Sequence, residues 1–155
     1  MPWDIAGHAA EVETLRATLT SGQVGHAFMF SGVKGIGKAR LAHLFAQALL
    51  CEKSPVEAPC QTCRGCRRVD SGNHPDLHWV VPRGSSLRID QVRAVQSTLA
   101  LRPYEGRYKV CVFDDADTLT EQAQNSMLKM LEEPPGSGVI VLVVHQPAAI
   151  LPTIH

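Results

Sequence analysis

Residues 32–39 read GVKGIGKA and match the phosphate-binding pattern G-x-x-x-x-G-K through Lys38. Glycines at Gly32, Gly35 and Gly37 let a backbone curl until its N–H groups face one anion. A helix starting at Lys38 would add the positive end of its dipole. Lys38 itself brings a point charge to the outer phosphates. The same letters also fit a plain glycine-rich turn, but a strand-like run before and a helical run after favour the anion cradle. The next residue departs from the pattern. Ala39 stands where a Ser or Thr hydroxyl would ligate Mg²⁺. The amides and the lysine survive that loss while the metal loses a ligand. Binding of ATP or ADP is therefore expected to be weak, with the Mg²⁺ site impaired and hydrolysis impaired or lost.

Residues 109–117, KVCVFDDAD, form an aliphatic run that ends in acids. Such a strand sets a carboxylate at the carboxyl edge of a sheet, beside a phosphate loop that leaves a neighbouring strand. Asp114 is the candidate to hold Mg²⁺ there, usually through water. Asp115 stands where an ATPase commonly has a Glu to polarise the attacking water, and it is one methylene shorter. A strand ending in Asp also reads as a simple turn or helix cap; the phosphate loop upstream gives the metal reading its weight. Asp114 and Asp115 are thus the catalytic candidates.

A third group is C-x8-C-x2-C-x2-C: Cys51, Cys60, Cys63 and Cys66. Four thiolates so close in sequence suit one tetrahedral structural Zn²⁺. Disulfides would be spread along a secreted chain instead. An iron–sulfur cluster shares the x2–x2 spacing but wants a further Cys and then Pro, and position 70 is Asp70. Free thiols in a loop remain the bland alternative. Arg64, Arg67 and Arg68 decorate this segment as a solvated rim or as contacts to DNA. Cys111, far from the others, reads as a small core residue.

These groups need a frame to position them. The chain has 155 residues, room for one domain with a small module. Lys+Arg and Asp+Glu are both 15, which excludes binding nucleic acid by bulk positive charge and excludes an acidic tail. A hydrophobic fraction of 45% supplies a core, and aromatics at 5% leave its packing to aliphatic side chains. No signal peptide is visible at the start. The longest aliphatic run, 139–144, falls far below the roughly 20 residues of a membrane span. A cytoplasmic protein with no membrane partner is the expectation.

Helical spacing appears at 8–21 (Val12, Leu15, Leu19), 38–50 and 89–101 (Ile89, Val92, Val95, Leu99). Thr118 and Glu121 have capping-box spacing ahead of a further helix to about 132, ended by Pro134, Pro135 and Gly136. Strands are expected at 27–30, 77–81, 109–113 and 139–144. Residues 51–73 lack the aliphatic content to fold alone, and a metal would supply what they lack. Strands alternating with helices, several of them continuous aliphatic runs, predict an α/β fold: a parallel sheet with helices on both faces.

Together these stretches resemble the nucleotide-binding domain of bacterial DNA polymerase III clamp-loader subunits, of the AAA+ family. The likeness is carried by residues 26–42 (HAFMFSGVKGIGKARLA), the cysteine cluster after that helix, 87–93 (LRIDQVR), 109–135 with its NSMLKMLEEPP ending, and the closing ILPTIH. It covers nearly the whole chain. It implies one P-loop AAA+ domain over 1–155 with a zinc insertion at 51–73. It also implies adenine contacts around Ile5 and Gly7. The sensor position falls near Val144 and His145 rather than on Thr or Asn. Ala39, Asp115 and the DDADTLT wording resemble the stator-like δ′ branch rather than the ATP-hydrolysing γ/τ motors. The implied partners are the γ/τ and δ subunits, the sliding clamp and, through the assembly, primed DNA. An active γ/τ-type motor and a zinc nucleic-acid-binding module with a vestigial P-loop are the alternatives. The resemblance further implies a longer protein. A Ser-Arg-Cys motif, a fifth strand, a lid and an oligomerisation domain are expected beyond His155. In the family's sheet order 5-1-4-3-2, a chain without the fifth strand leaves the phosphate-loop strand at an unpaired edge and prone to self-association.

Overall fold

A computed structural model describes residues 9–22, 24–31, 37–53, 58–104, 107–132 and 138–145. The elements, in chain order, are α1 (Ala9–Ser21), β1 (Ala27–Ser31), α2 (Lys38–Leu50), α3 (Arg64–Ser71), β2 (Leu77–Val80), α4 (Ile89–Leu99), β3 (Lys109–Phe113), a 3₁₀ turn (Ala116–Thr118), α5 (Glu121–Glu132) and β4 (Gly138–Val144). The strands form one parallel sheet in the order β1-β4-β3-β2, with Phe28 opposite Val141 and Cys111 opposite Ile140. This is the expected α/β architecture, and β1 stands at one end of the order.

Side chains alternate across a strand, so each strand feeds two cores. Val110, Val112, Val139, Val141 and Val143 face α1, α2 and α3. Cys111, Phe113, Ile140, Leu142 and Val144 face α4 and α5. All of β3 and β4 is therefore buried, as their unbroken aliphatic sequences demand. Helix α2 is almost wholly interior: Leu41, Ala42, Leu44, Phe45, Leu49 and Leu50 are each 2% exposed or less. Phe45 receives Phe28 and Phe30 from β1 edge-on, with ring centroids at 4.7 and 5.9 Å.

Several boundaries differ from expectation for local reasons. Helix α4 ends at Leu99, short of the expected 101, with Ala100 still in the helical region as its C-cap; Pro103 bars any continuation past Arg102. The cap of α5 is Thr120, not Thr118: the Thr120 hydroxyl accepts from Ala123 N–H at 3.2 Å. Thr118 instead closes the 3₁₀ turn, its hydroxyl donating to the Asp115 carbonyl at 2.8 Å. Helix α3 lies within the cysteine segment, for which sequence spacing gave no helix. Asp76, fully buried, pairs with Lys109 at 3.8 Å and accepts the Tyr104 N–H, which ties the loop after α4 to the start of β2. Among the described residues no helix is long and apolar enough to cross a membrane.

Candidate functional site

Among the described residues, two groups of side chains converge. The first lies at the carboxyl edge of the sheet. Register carries Ser31 of β1 opposite Val144 of β4, and Phe113 of β3 opposite Leu142. The carboxyl ends of β1, β4 and β3 therefore adjoin. The glycine-rich run follows β1 in sequence. Gly32 and Gly35 lie outside the described residues, as do Ile5 and Gly7. Gly37 has φ 81°, a left-handed conformation that glycine adopts without a Cβ penalty, and its carbonyl accepts the Leu41 N–H at 2.9 Å as α2 begins. Lys38 is the first residue of α2 and is buried, with Ala39 half-buried beside it.

From β3 the chain enters Asp114, whose N–H still donates to the Val80 carbonyl at 2.9 Å. Asp114 Oδ1 accepts the Asp115 N–H at 2.9 Å. Asp115 sits at φ 53°, a region that non-glycine residues visit seldom. From β4 the chain enters His145, whose N–H donates to Asp117 Oδ1 at 3.2 Å. The His145 ring lies with Nε2 2.9 Å from Asp115 Oδ1. One ligand atom each from Asp114, Asp115 and His145 falls within 4.8 Å of the others. The two acids expected at this edge are thus brought together. Sequence reasoning placed His145 near the sensor position but missed its pairing with Asp115. The signal was the parallel register, which carries the residues after Phe113 and Val144 to one edge.

The second group is the cysteine quartet, joined to the opposite end of α2. Cys51 follows the last helical residue, and Cys63 is the N-cap of α3, its Sγ accepting the Cys66 N–H at 3.4 Å. The Sγ atoms of Cys51, Cys60, Cys63 and Cys66 all lie within 4.8 Å of one another, with Cys51–Cys63 at 3.9 Å and Cys60–Cys66 at 4.0 Å. A tetrahedral ion with metal–sulfur bonds of about 2.3 Å has sulfur–sulfur edges of about 3.8 Å. The quartet therefore fits a zinc-sized tetrahedral ion. Further N–H groups are already aimed at the sulfurs: Thr62 and Cys63 onto Cys60 at 3.4 and 3.2 Å, Glu52 onto Cys63 at 3.3 Å. The Thr62 hydroxyl adds a contact to Cys60 at 3.6 Å.

Local electrostatics differ among the thiols. Burial raises Cys51 and Cys66 above the ordinary thiol range. At Cys60 burial also pushes upward, but the Thr62 hydroxyl and the N–H groups of Thr62 and Cys63 outweigh it and bring the thiol down to about 6. Complete burial raises Cys111, which lies in the α4–α5 core and has no part in the quartet.

The module is bound tightly to α2. Gln47 donates its side-chain N–H to the Cys66 carbonyl at 3.0 Å, and His43 meets Asp70 at 2.9 Å. Gly65 lies against the last turn of α2: a Cβ there would come within 2.2 Å of the Leu50 carbonyl oxygen. Arg64 and Arg67 face solvent, as a rim does.

Comparison with known proteins agrees with this arrangement. The DNA polymerase III subunit delta′ of Bacillus subtilis is 39% identical over 143 residues, which cover 92% of this chain and 43% of that protein. The DNA polymerase III subunit tau of the same organism is 33% identical over 151 residues, 97% of this chain and 27% of that protein. The crystal structure of a DNA polymerase III gamma subunit-related protein from Thermotoga maritima superposes with a TM-score of 0.64 at 25% identity, covering 92% of this chain and 42% of that one. The chain thus spans less than half the length of the relatives it matches. The family described as "DNA polymerase III, delta subunit" matches residues 7–155, and this chain belongs to that family.

Proposed function

We propose that this chain acts as the AAA+ domain of a δ′-like subunit of the DNA polymerase III clamp loader, in the bacterial cytoplasm. Its partners are the γ/τ and δ subunits and the sliding clamp, which the assembly places on primed DNA. Its nucleotide site is degenerate. The observation that carries this reading is Ala39, directly after the buried Lys38 at the head of α2. Lys38 still offers its charge to phosphate, but the metal that neutralises a transferring phosphoryl group lacks its hydroxyl ligand, so binding is weakened. Higher identity to a delta′ subunit than to a tau subunit from one organism points the same way.

The quartet of Cys51, Cys60, Cys63 and Cys66 holds a structural Zn²⁺ in this reading. That ion would fix α3 to the end of α2. Its support is the sulfur–sulfur spacing and the N–H groups already directed at sulfur. It takes no part in phosphoryl transfer.

Fluorescent-ATP binding with and without Mg²⁺ tests the site. Binding is expected to be weak and to change little when Mg²⁺ is added, with phosphate release near background. Ala39→Thr is expected to restore a Mg²⁺-dependent increase in affinity. Tight Mg²⁺-dependent binding with brisk turnover by the unaltered chain would establish the motor-type reading instead, which the tau relative's match across 97% of the chain keeps in view.

A further inference from the structure

We propose that the cysteine quartet is a peroxide-responsive switch, in which hydrogen peroxide expels the zinc and closes two disulfides, Cys51–Cys63 and Cys60–Cys66. The inference rests on the zinc reading of the quartet and adds a second, metal-free state of the same module.

Access divides the four sulfurs. Cys60 and Cys63 are partly exposed, whereas Cys51 and Cys66 are buried. Each close pair joins one kind to the other. Cys63 Sγ lies 3.9 Å from Cys51 Sγ, and Cys60 Sγ lies 4.0 Å from Cys66 Sγ. A solute can therefore reach one sulfur of each pair while a second sulfur stands behind it. In that arrangement an oxidised cysteine is resolved by its neighbour before it is oxidised further.

The chemistry balances within each pair. The Cys60 sulfur attacks one oxygen of hydrogen peroxide, the O–O bond breaks, and hydroxide leaves. Cys60 is then a sulfenic acid. The Cys66 sulfur attacks the Cys60 sulfur, the S–O bond breaks, and the second oxygen departs, protonated by solvent, as water. Two electrons have passed from two sulfurs to one peroxide. Cys63 and Cys51 repeat the sequence with a second peroxide. Thiolate is the form that binds metal, so closing both pairs leaves the ion without ligands.

The disulfides fall where the ion acts. Cys51 follows the last residue of α2, and Cys63 is the N-cap of α3. Their bond ties the two helices directly. The Cys60–Cys66 bond pins the segment before α3 to its first turn. Contacts that need no metal persist, namely Gln47 to the Cys66 carbonyl at 3.0 Å and His43 to Asp70 at 2.9 Å. The module thus keeps its seat on α2 in both states. Cys111 lies fully buried in the other core and remains a thiol.

The test uses the 155-residue chain loaded with zinc, its content measured first by elemental analysis. A chain that takes up no zinc overturns the zinc reading alone, and disulfide closure is then decided on that metal-free chain. Hydrogen peroxide is added and released zinc is followed with a chromogenic chelator. Thiols titrated in denaturant should fall from all five cysteines to Cys111 alone as the zinc is released. Cleavage after Lys and Arg leaves Cys60 and Cys63 in one peptide, so tandem mass spectrometry must break the chain between them. It should find Cys63 joined to Cys51 and Cys60 joined to Cys66. Dithiothreitol with added zinc should restore the starting state. Amide exchange in residues 58–72 should be at least about tenfold slower in the oxidised chain than in the reduced chain stripped of metal. A Cys60–Cys63 or Cys63–Cys66 bond would overturn the proposal. So would sulfinic acid at Cys60 or Cys63, or zinc retained with every thiol intact.

Discussion

Thr62 touches Cys60 twice, through its N–H at 3.4 Å and its hydroxyl at 3.6 Å. Both donors favour thiolate over thiol, and thiolate is the form that binds metal. The two contacts are separable because valine has the shape of threonine without the hydroxyl. Thr62 is exposed, so Thr62→Val removes one donor with little loss of packing. Competition with a chromogenic chelator should show zinc held about tenfold less tightly in the variant, in line with other outer hydrogen bonds to metal ligands. Unchanged zinc affinity would mean that the N–H groups of Thr62 and Cys63 alone set the behaviour of Cys60.

At the scale of elements, the contact between α2 and α3 turns on one missing methyl group. In an ordinary helix Gly→Ala stabilises by about 1 kcal/mol. At Gly65 the sign should reverse, because the added Cβ would lie 2.2 Å from the Leu50 carbonyl oxygen, an atom of backbone that cannot swing aside. Gly65→Ala is expected to lower unfolding free energy by about 1–3 kcal/mol, the usual cost of overpacking, measured by urea denaturation of the zinc-loaded chain. A neutral or stabilising result would show that α3 is not seated against α2 in solution. The element that makes this contact is the one the sequence concealed. Helices α2 and α5 and strands β3 and β4 were legible because their apolar spacing matches one period throughout. Helix α3 carries only Gly65, Cys66 and Val69 on its buried face, and its cap is a cysteine sulfur rather than a Ser, Thr, Asp or Asn oxygen. Its order comes from tertiary contacts that periodicity does not record. The Asp76–Lys109 pair was hidden for a similar reason: two charged residues far apart in sequence gave no sign of being buried together. At the site, the phosphate-loop pattern and the paired acids were legible as local strings, whereas His145 joined them only through strand register.

The described residues form two cores separated by one sheet, and with zinc in the quartet as proposed, they stand to lose unequally when the metal is removed. Residues of the cysteine module, Cys51, Ala58, Cys66 and Val69, belong to the core on the α1–α2 side. None of them reaches the core formed by α4, α5 and the other face of β3 and β4. A structural zinc contributes on the order of 10 kcal/mol, comparable to the entire stability of a domain this size, so its loss must be felt somewhere. Where it is felt depends on what each part retains. Helix α3 has eight residues, below the length at which an isolated helix holds in water, and its N-cap is itself one of the quartet. Helix α2 keeps Leu41, Leu44 and Phe45 against the sheet with or without the ion. Stripping zinc with a chelator should therefore raise amide hydrogen exchange in residues 58–72 by several orders of magnitude and loosen the last turn of α2. Exchange in β3, β4, α4 and α5 should remain close to that of the zinc-loaded chain. Uniform loss of protection across the sheet would instead mean that the two cores fold as one cooperative unit and that the metal stabilises both.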